Sequence, residues 1–254
     1  MLHPFFIRLS AKHICPENPI LLNRIIDSQF TIFTFNIVTI YNGTILFQGR
    51  NLMYISNRIG VFSWIATCLY FLIEPFFIFT STAPYNYLHH AMSDLGVTTC
   101  GEFTYEIAPY EICSPNHFWM NLLFILNGIT FCIGVLYISQ HLEKTKINKI
   151  ATFFILIIGV STIVSGLIPA DINLIGHSIL VWIGMLTVFP GLFIFAKNLK
   201  KAGKWTYFCL LSLIVITILI SLVFLFPLPA GLLQRLFYLV LFVWGTVSTY
   251  KLIK

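Results

Sequence analysis

Six long apolar runs constrain the fold of this chain more than any other feature of its sequence. They cover roughly residues 59–82, 117–139, 150–169, 174–196, 205–226 and 231–252. Each run has close to the ~20 residues that an α-helix needs to cross ~30 Å of hydrocarbon. Because a backbone in lipid must satisfy its own hydrogen bonds, runs of this length predict membrane-spanning helices.

The composition supports a bilayer as the solvent of most of the chain. Of the 254 residues, 58% are hydrophobic and only 9% are charged, whereas soluble domains average about 25% charged residues. A soluble fold of this size could not cover its surface with so few polar side chains. The sequence therefore predicts an all-α, polytopic transmembrane bundle of about six helices.

The basic residues cluster in the connections on one side of the predicted bundle. With residues 1–57 placed on that side, it holds all 15 lysines and arginines except Arg235. The connections 83–116, 170–173 and 227–230 on the other side contain neither Lys nor Arg. The positive-inside rule then predicts that both termini are cytoplasmic. Such short clusters indicate topology control, and we expect no nucleic-acid partner.

Residues 1–57 differ from the rest of the chain. They contain Pro, Asn and scattered charges, and their apolar stretch 31–47 is interrupted by Asn36 and Asn42, so it would form only a weak seventh span. No small-residue cleavage site follows the stretch, which argues against a signal peptide. We interpret 1–57 as an N-terminal appendage, consistent with a misassigned start to which Met53 is the alternative. Residues 58–254 form the predicted six-helix transmembrane domain.

Two of the six cysteines, Cys100 and Cys113, lie in the long connection 83–116 on the predicted outer side. They could pair in an oxidising compartment, and closing this loop would stabilise the fold by about 3 kcal/mol in the chain-entropy model. Sequence alone does not show that the two sulfurs meet, so both states stay open. The cysteine spacings do not indicate a structural zinc site.

Four ionisable residues are predicted to lie at a similar depth near the outer membrane face. They are Asp94 after the first run, Asp171 between the third and fourth, His177 one to two turns into the fourth, and Arg235 about one turn into the sixth. Inserting a charge at a helix centre costs about 2.5–3.5 kcal/mol, so each needs a reason. A buried Arg requires an acidic partner, which Asp94 or Asp171 could supply.

This cluster has two interpretations. In the structural one, an Asp–Arg bridge locks the helices and His177 bonds a backbone carbonyl. In the functional one, Asp94 and His177 act as acid and base, and Arg235 holds a phosphate or carboxylate group. A divalent metal is the candidate cofactor, with His177, Asp94 and Asp171 as candidate ligands.

Two further residues lie near helix irregularities or ends. Glu74 precedes Pro75, which should kink the first helix and free a carbonyl. Its carboxyl group either carries a proton for function or stays neutral. His117 follows Ser114-Pro115-Asn116, a helix-start signal that places it at the membrane interface.

Several short motifs resemble, in order and helix position, the six-helix membrane-protein family of bacteria and archaea catalogued as domain of unknown function 998. They are Tyr87 with Ser93-Asp94-Leu95-Gly96, Ser114-Pro115 with Trp119 and Asn121, Gly166 with Pro169, Asp171 and His177, and Leu233-Gln234-Arg235. The resemblance covers about 58–252 and implies a multi-pass protein of the bacterial inner (cytoplasmic) membrane. Family members often carry a second acid where Gln234 stands, so Arg235 has one fewer obvious partner here.

The sequence leaves two classes of function open for the polar site. One is a membrane-embedded enzyme that processes a lipid or lipid-linked substrate at the outer face. The alternative is a non-enzymatic transporter, sensor or accessory membrane protein that binds a small molecule or a proton. Motifs of soluble enzymes, such as a Gly-rich phosphate loop or H-E-x-x-H, are missing from the sequence.

Overall fold

A computed structural model describes residues 39–41, 44–46 and 54–254 of the chain. The chain forms two compact units, Met1–Leu52 and Met53–Lys254. In the first unit, β1 (Thr39–Tyr41) and β2 (Thr44–Leu46) pair as an antiparallel two-stranded sheet. The stretch 31–47, considered above as a weak seventh span, lies largely outside the described residues.

Six helices within residues 54–254 are long and apolar enough to cross a membrane. The first, Asn57–Phe79, consists of α1 (Asn57–Cys68) and α2 (Tyr70–Phe79), which are separated at Leu69. The other five are α3 (His117–Ser139), α4 (Lys146–Leu167), α5 (Leu174–Asn198), α6 (Gly203–Ser221) and α7 (Ala230–Ile253). The prediction of an all-α polytopic bundle is therefore confirmed.

Polar residues at helix starts satisfy backbone N–H groups that have no partner within the helix. A side-chain oxygen of Ser56 accepts such a bond at the start of α1, as do Thr145 at α4 and Asn173 at α5. The helix α3 begins at His117, directly after Ser114-Pro115-Asn116, as the sequence predicts. These local signals explain why the boundaries fall where the apolar runs begin.

Small residues let α4 pack closely against both of its neighbours. A Cβ added at Gly128 of α3 would lie 2.5 Å from the Gly159 carbonyl oxygen of α4. One added at Gly191 of α5 would lie 2.8 Å from the Ala151 carbonyl oxygen of α4. Close backbone approach through small residues is typical of helices packed in lipid, where hydrophobic exclusion from water does not drive association.

Large apolar side chains cover the outside of the bundle as well as its core. Leu72, Phe79 and Phe153 are 75%, 88% and 62% exposed. The interior is built on fully buried aromatic residues, with Trp64 packed edge-on against Phe131 and Trp244 at ring distances of 5.3 and 5.9 Å. An apolar exterior of this kind fits a hydrocarbon environment.

Three connections meet at one end of the bundle, which we call the loop end. They are residues 80–116 between α2 and α3, 168–173 between α4 and α5, and 222–229 between α6 and α7. The first contains a short 3₁₀ helix, Met92–Gly96, and a disulfide bond between Cys100 and Cys113. The pairing that the sequence left open is therefore present in the structure.

Candidate functional site

A buried ion pair joins α2 to α7 near the loop end. Arg235 Nη2 lies 2.8 Å from Glu74 Oε1, and Arg235 Nε donates to the same oxygen at 3.0 Å. The two side chains are only 2% and 1% exposed. The Tyr70 hydroxyl, one turn earlier on α2, also donates to Glu74 Oε1, at 3.3 Å. The charge of the guanidinium is thus compensated inside the bundle.

The prediction that Asp94 or Asp171 would pair with Arg235 is therefore wrong. Both aspartates accept hydrogen bonds from neighbours in the loop-end connections, whereas Glu74 projects from α2 toward the start of α7. Glu74 was considered from sequence as an isolated carboxyl group. The sequence does not predict this pairing, because run length and charge give a residue's depth but not the direction in which its side chain projects from the helix.

The remaining donors of Arg235 bind acceptors in the 80–116 connection and in the first turn of α7. Nη1 donates to the carbonyl oxygens of Tyr87, His90 and Gly231 at 3.1, 3.0 and 3.0 Å. Nη2 donates to the Tyr85 hydroxyl at 2.5 Å. Every nitrogen of the guanidinium thus donates to acceptors within the chain, which leaves little capacity to bind an anionic ligand in this arrangement.

Asp94 is buried in the 3₁₀ helix and is held by two tyrosines. It accepts hydrogen bonds from the hydroxyl groups of Tyr105 and Tyr110, the latter at 2.9 Å, and from the Ala91 backbone N–H at 3.0 Å. Burial raises the pKa of Asp94, and the tyrosine hydrogen bonds oppose that rise. Both tyrosines lie in the segment closed by the disulfide, so this segment clamps the carboxyl group from above.

Asp171 ties the α4–α5 turn to the connection that follows the 3₁₀ helix. Its Oδ2 accepts from the Thr98 backbone N–H at 3.0 Å, from the Thr98 hydroxyl at 2.6 Å and from the Thr99 hydroxyl at 3.3 Å. Its Oδ1 is buried and has no hydrogen-bond partner among the described residues. These contacts brace two connections against each other.

His177 lies near the start of α5 and is 7% exposed. Its Nδ1 is 2.9 Å from the Ile168 carbonyl oxygen. Because a carbonyl oxygen can only accept, this contact assigns the hydrogen of the neutral ring to Nδ1 and leaves a lone pair on Nε2. The interpretation that His177 bonds a backbone carbonyl is confirmed, and the contact fixes the ring with one nitrogen available.

His177 lines a narrow cleft inside the bundle, with a volume of about 30 Å³, which is room for about two water molecules. We call it the bundle cleft; α2, α3, α4, α5 and α7 form its walls, and the 3₁₀ helix contributes Met92 and Ser93. Its polar lining includes Ser93, Asn127, Ser165, His177 and Gln234, and its aromatic lining is Tyr70, Phe124, Tyr238 and Phe242. A polar lining and an apolar lining thus meet in this cleft, within the spans.

Ser165 is the residue in this cleft that sequence reasoning missed. It lies on α4, it is 8% exposed, and its hydroxyl has no hydrogen-bond partner among the described residues. A buried hydroxyl without a partner costs about 1–3 kcal/mol. Thr217, Ser248 and Thr249 share this state, and what distinguishes Ser165 is that it lines the cleft. A serine within an apolar run gives no such signal in the sequence, because most such serines bond their own helix.

The first turns of α7 hold the segment that covers this region. Gln234 Oε1 accepts from the Met92 backbone N–H at 2.9 Å, and the Leu232 backbone N–H donates to the Leu88 carbonyl at 3.0 Å. Together with the Arg235 bonds to carbonyls of the same segment, they bind residues 87–92 to α7. Gln234 thus positions the 3₁₀ helix.

The four predicted site residues do not form one shared cluster. His177 faces the cleft, Asp94 and Asp171 are bonded within the connections, and Arg235 is paired with Glu74. Among residues that the structure describes, no group of three or more His, Cys, Asp or Glu side chains is arranged to hold a metal ion. The three candidate ligands His177, Asp94 and Asp171 accordingly do not fit a divalent metal site.

A family model described as "Protein of unknown function (DUF998)" matches residues 64–250, from the middle of α1 almost to the end of α7. No curated protein and no solved structure matches the chain. The resemblance inferred from the short motifs is thereby confirmed, over the segment that contains the bundle cleft.

Proposed function

Since this chain belongs to the DUF998 family, whose description names no activity, we propose its function from the geometry of the bundle cleft. The protein is a multi-pass membrane protein that binds a lipid or lipid-linked molecule in the cleft and processes it. The observation that carries this proposal is the pair of unused polar atoms, His177 Nε2 and Ser165 Oγ, in one cleft between membrane-spanning helices.

The cleft lining supports an amphiphilic ligand. The cleft would have to widen to admit such a ligand; Phe124 and Phe242 would then contact an apolar chain, while Ser165, His177 and Gln234 would contact polar atoms. Ligand sites typically combine an apolar lining with a few polar groups that set orientation. A molecule that partitions into the bilayer can reach a site between its helices, whereas a strongly charged solute would have to be desolvated first.

His177 supports a chemical step rather than binding alone. The Ile168 carbonyl fixes the ring through Nδ1, so Nε2 can accept a proton from a hydroxyl group or water that attacks the ligand. Ser165 supplies one such hydroxyl group in the cleft. Asp94, a candidate acid in the sequence, instead positions the 3₁₀ helix that carries Ser93 into the cleft.

We also propose that the loop end faces the outside of the bacterial inner membrane and that both termini are cytoplasmic. The three loop-end connections contain no Lys or Arg, as the positive-inside rule requires of outer connections. The Cys100–Cys113 disulfide in the longest of them supports exposure to an oxidising compartment. Reporter fusions in the connection 140–145 should report the cytoplasm, and an outside location there would refute this orientation.

A lipid turnover assay tests the enzymatic proposal. The wild-type protein is purified in native lipids, incubated with a total lipid extract of its host membrane, and the products are identified by mass spectrometry. His177→Ala should lower the turnover of any processed lipid by about 10²–10⁴-fold, the usual contribution of a general base. Unchanged turnover in a folded His177→Ala protein would refute the role of this residue.

His117 offers the matched control. Its Nδ1 lies 3.0 Å from the Ser114 carbonyl oxygen, the same kind of contact that His177 makes, but His117 does not line the cleft. His117→Ala should therefore keep turnover close to that of the wild type. Equal losses in the two variants would assign the effect to loss of structure at the loop end.

Transport is the second candidate, favoured by the interruption of the first span at Leu69. The next residue, Tyr70, lines the cleft, and interrupted helices flank substrate sites in many transporters. The same assay separates the candidates, because a transporter would retain a ligand in the cleft and release it chemically unchanged. His177→Ala would then alter affinity without altering any product.

A further inference from the structure

A second recess, distinct from the bundle cleft, lies on the connection between α2 and α3. It is open to solvent and has a volume of about 650 Å³. The side chains that matter are Tyr85, Tyr87, His90, Tyr110 and Glu111, and none of them lines the bundle cleft. We call this recess the aromatic depression.

The rings of the depression are fixed by contacts with one another and with the backbone. His90 stacks on Tyr110 with ring centres 3.9 Å apart and planes within 8°, and Tyr85 meets His90 edge-on at 5.2 Å. The Tyr85 hydroxyl donates to the Ala91 carbonyl at 2.8 Å. Tyr87, by contrast, is 42% exposed. Rings held in this way would lose little side-chain entropy on contact with a ligand.

The charge around the depression favours a cation. The connection 80–116 contains Asp94, Glu102, Glu106 and Glu111 but neither Lys nor Arg, and Glu111 is exposed at the depression. Burial lowers the pKa of His90, so this ring is neutral near pH 7 and does not repel a cation. The face of a tyrosine ring carries negative electrostatic potential, which attracts a positive group placed over it.

Arg235 already shows that these rings accept a cation. Its guanidinium carbon lies 4.3 Å from the ring centre of Tyr87 and 5.6 Å from that of Tyr85. This charge is buried beneath the depression and is compensated by Glu74. A ligand in the depression would therefore meet an ion pair below it, whose guanidinium still helps to lower the pKa of His90, and beside it the exposed carboxylate of Glu111, which forms no ion pair among the described residues.

We propose that the aromatic depression binds a small organic ammonium group, with the rings of Tyr87 and its neighbours as the contact surface and Glu111 as the counter-charge. A quaternary ammonium group fits best, because it cannot use hydrogen bonds and depends on aromatic faces and charge. The group reaches the site either as a free solute or as the headgroup of a lipid. The site is independent of the chemistry assigned to the bundle cleft.

Choline binding to the full chain in nanodiscs of phosphatidylglycerol tests the proposal. Ligand-observed NMR titrations compare choline with its neutral isostere, in which carbon replaces the nitrogen. Choline should bind about 2–5-fold more tightly, the ratio expected from a cation–π energy of about 0.5–1 kcal/mol. Equal affinity for the isostere, or no saturable binding of choline, would overturn the proposal.

Variants identify the groups responsible. Tyr87→Leu should weaken choline binding about 2–5-fold and Tyr87→Phe should leave it unchanged, because only the ring is required. Glu111→Gln should weaken it about 2–5-fold. The controls are Tyr54→Leu and Glu102→Gln, exposed residues that do not line the depression. If Tyr87→Leu in a folded protein binds as tightly as the wild type, the rings are not the site.

A second set of nanodiscs distinguishes the two sources of the ammonium group. Replacing part of the phosphatidylglycerol with phosphatidylcholine should weaken the apparent affinity for free choline if lipid headgroups reach the depression. An unchanged affinity assigns the site to a free solute, because the headgroup plane then does not reach it. Loss of choline binding in both kinds of nanodisc would count against the site itself.

Discussion

Arg235 on α7 and Glu74 on α2 form a buried ion pair across 161 residues of sequence. The pair joins the end of the first span to the beginning of the last, and its guanidinium also holds the connection above it. Within the bilayer, leaving either charge without a partner is costly. The loop end is therefore organised around this contact, and its loss should affect every element that meets there.

Removing one charge of this pair should destabilise the protein strongly. Glu74→Gln leaves the Arg235 charge buried without its counter-charge, and we expect a loss of about 3–5 kcal/mol in the free energy of unfolding. Reversible unfolding in mixed micelles measures the loss, with Glu106→Gln, an exposed acid, as control. The double variant Glu74→Leu with Arg235→Leu should recover part of the loss. A single variant as stable as the wild type would show that the ion pair is not needed.

Opening the disulfide should loosen the clamp on Asp94. In the chain-entropy model, a loop of this length stabilises the fold by about 3 kcal/mol. We expect Cys100→Ser with Cys113→Ser to lower the melting temperature and to raise amide hydrogen exchange in residues 100–113, with smaller effects in α4 and α5. Cys132→Ser, a free cysteine away from the loop end, is the control. If the double-cysteine variant and Cys132→Ser changed amide hydrogen exchange equally throughout the protein, the disulfide would have no local role.

Asp94 should make the stability fall as pH rises. Its pKa is raised in the folded state by burial, so between its ordinary value of about 3.9 and the raised value the folded protein binds more protons than the unfolded chain. Its contribution is therefore complete below about pH 3.9 and is lost as pH rises through the folded pKa. Asp94→Asn should remove this slope from a series of unfolding measurements between about pH 4 and 8. A slope that persists in the variant would assign it to other groups.

Ser165 should separate stability from function. Ser165→Ala removes a buried hydroxyl that has no partner, so we expect the free energy of unfolding to stay within about 1 kcal/mol of the wild type or to rise. Lipid turnover or lipid retention should nevertheless fall, because the cleft loses one of its polar contacts. Ser161→Ala, on the same helix but outside the cleft lining, is the matched control. A fully active Ser165→Ala protein would exclude this hydroxyl from the site.

The sequence predicted the spans well because the length of an apolar run is a local property, and it alone decides whether a helix can span the hydrocarbon layer. The start of α3 at His117 was predictable for the same reason, since its signal lies within three residues of the boundary. The contact between His177 and a carbonyl was one of the two interpretations left open, and the acceptor, Ile168, lies only nine residues away along the chain. Each of these features depends on neighbours along the chain.

The partner of Arg235 could not be predicted because it depends on how α2 and α7 are rotated about their axes. A small rotation moves a side chain from one neighbouring helix to another without changing its depth. The hydrogen bonds from two tyrosines to Asp94 could not be predicted for a related reason, since the path of the 80–116 connection depends on the disulfide and on contacts with α7. That the Ser165 hydroxyl has no partner among the described residues follows only from the three-dimensional structure.

The bonds from Leu232, Gln234 and Arg235 to residues 87–92 have a mechanical consequence. The segment is fastened at several points to α7, so it should travel with that helix as one rigid body. For a molecule to enter the cleft, α7 would then have to tilt away from α3 and α4, and the segment would move with it. Spin labels on α7 and on this segment would keep a constant separation while both move relative to α4.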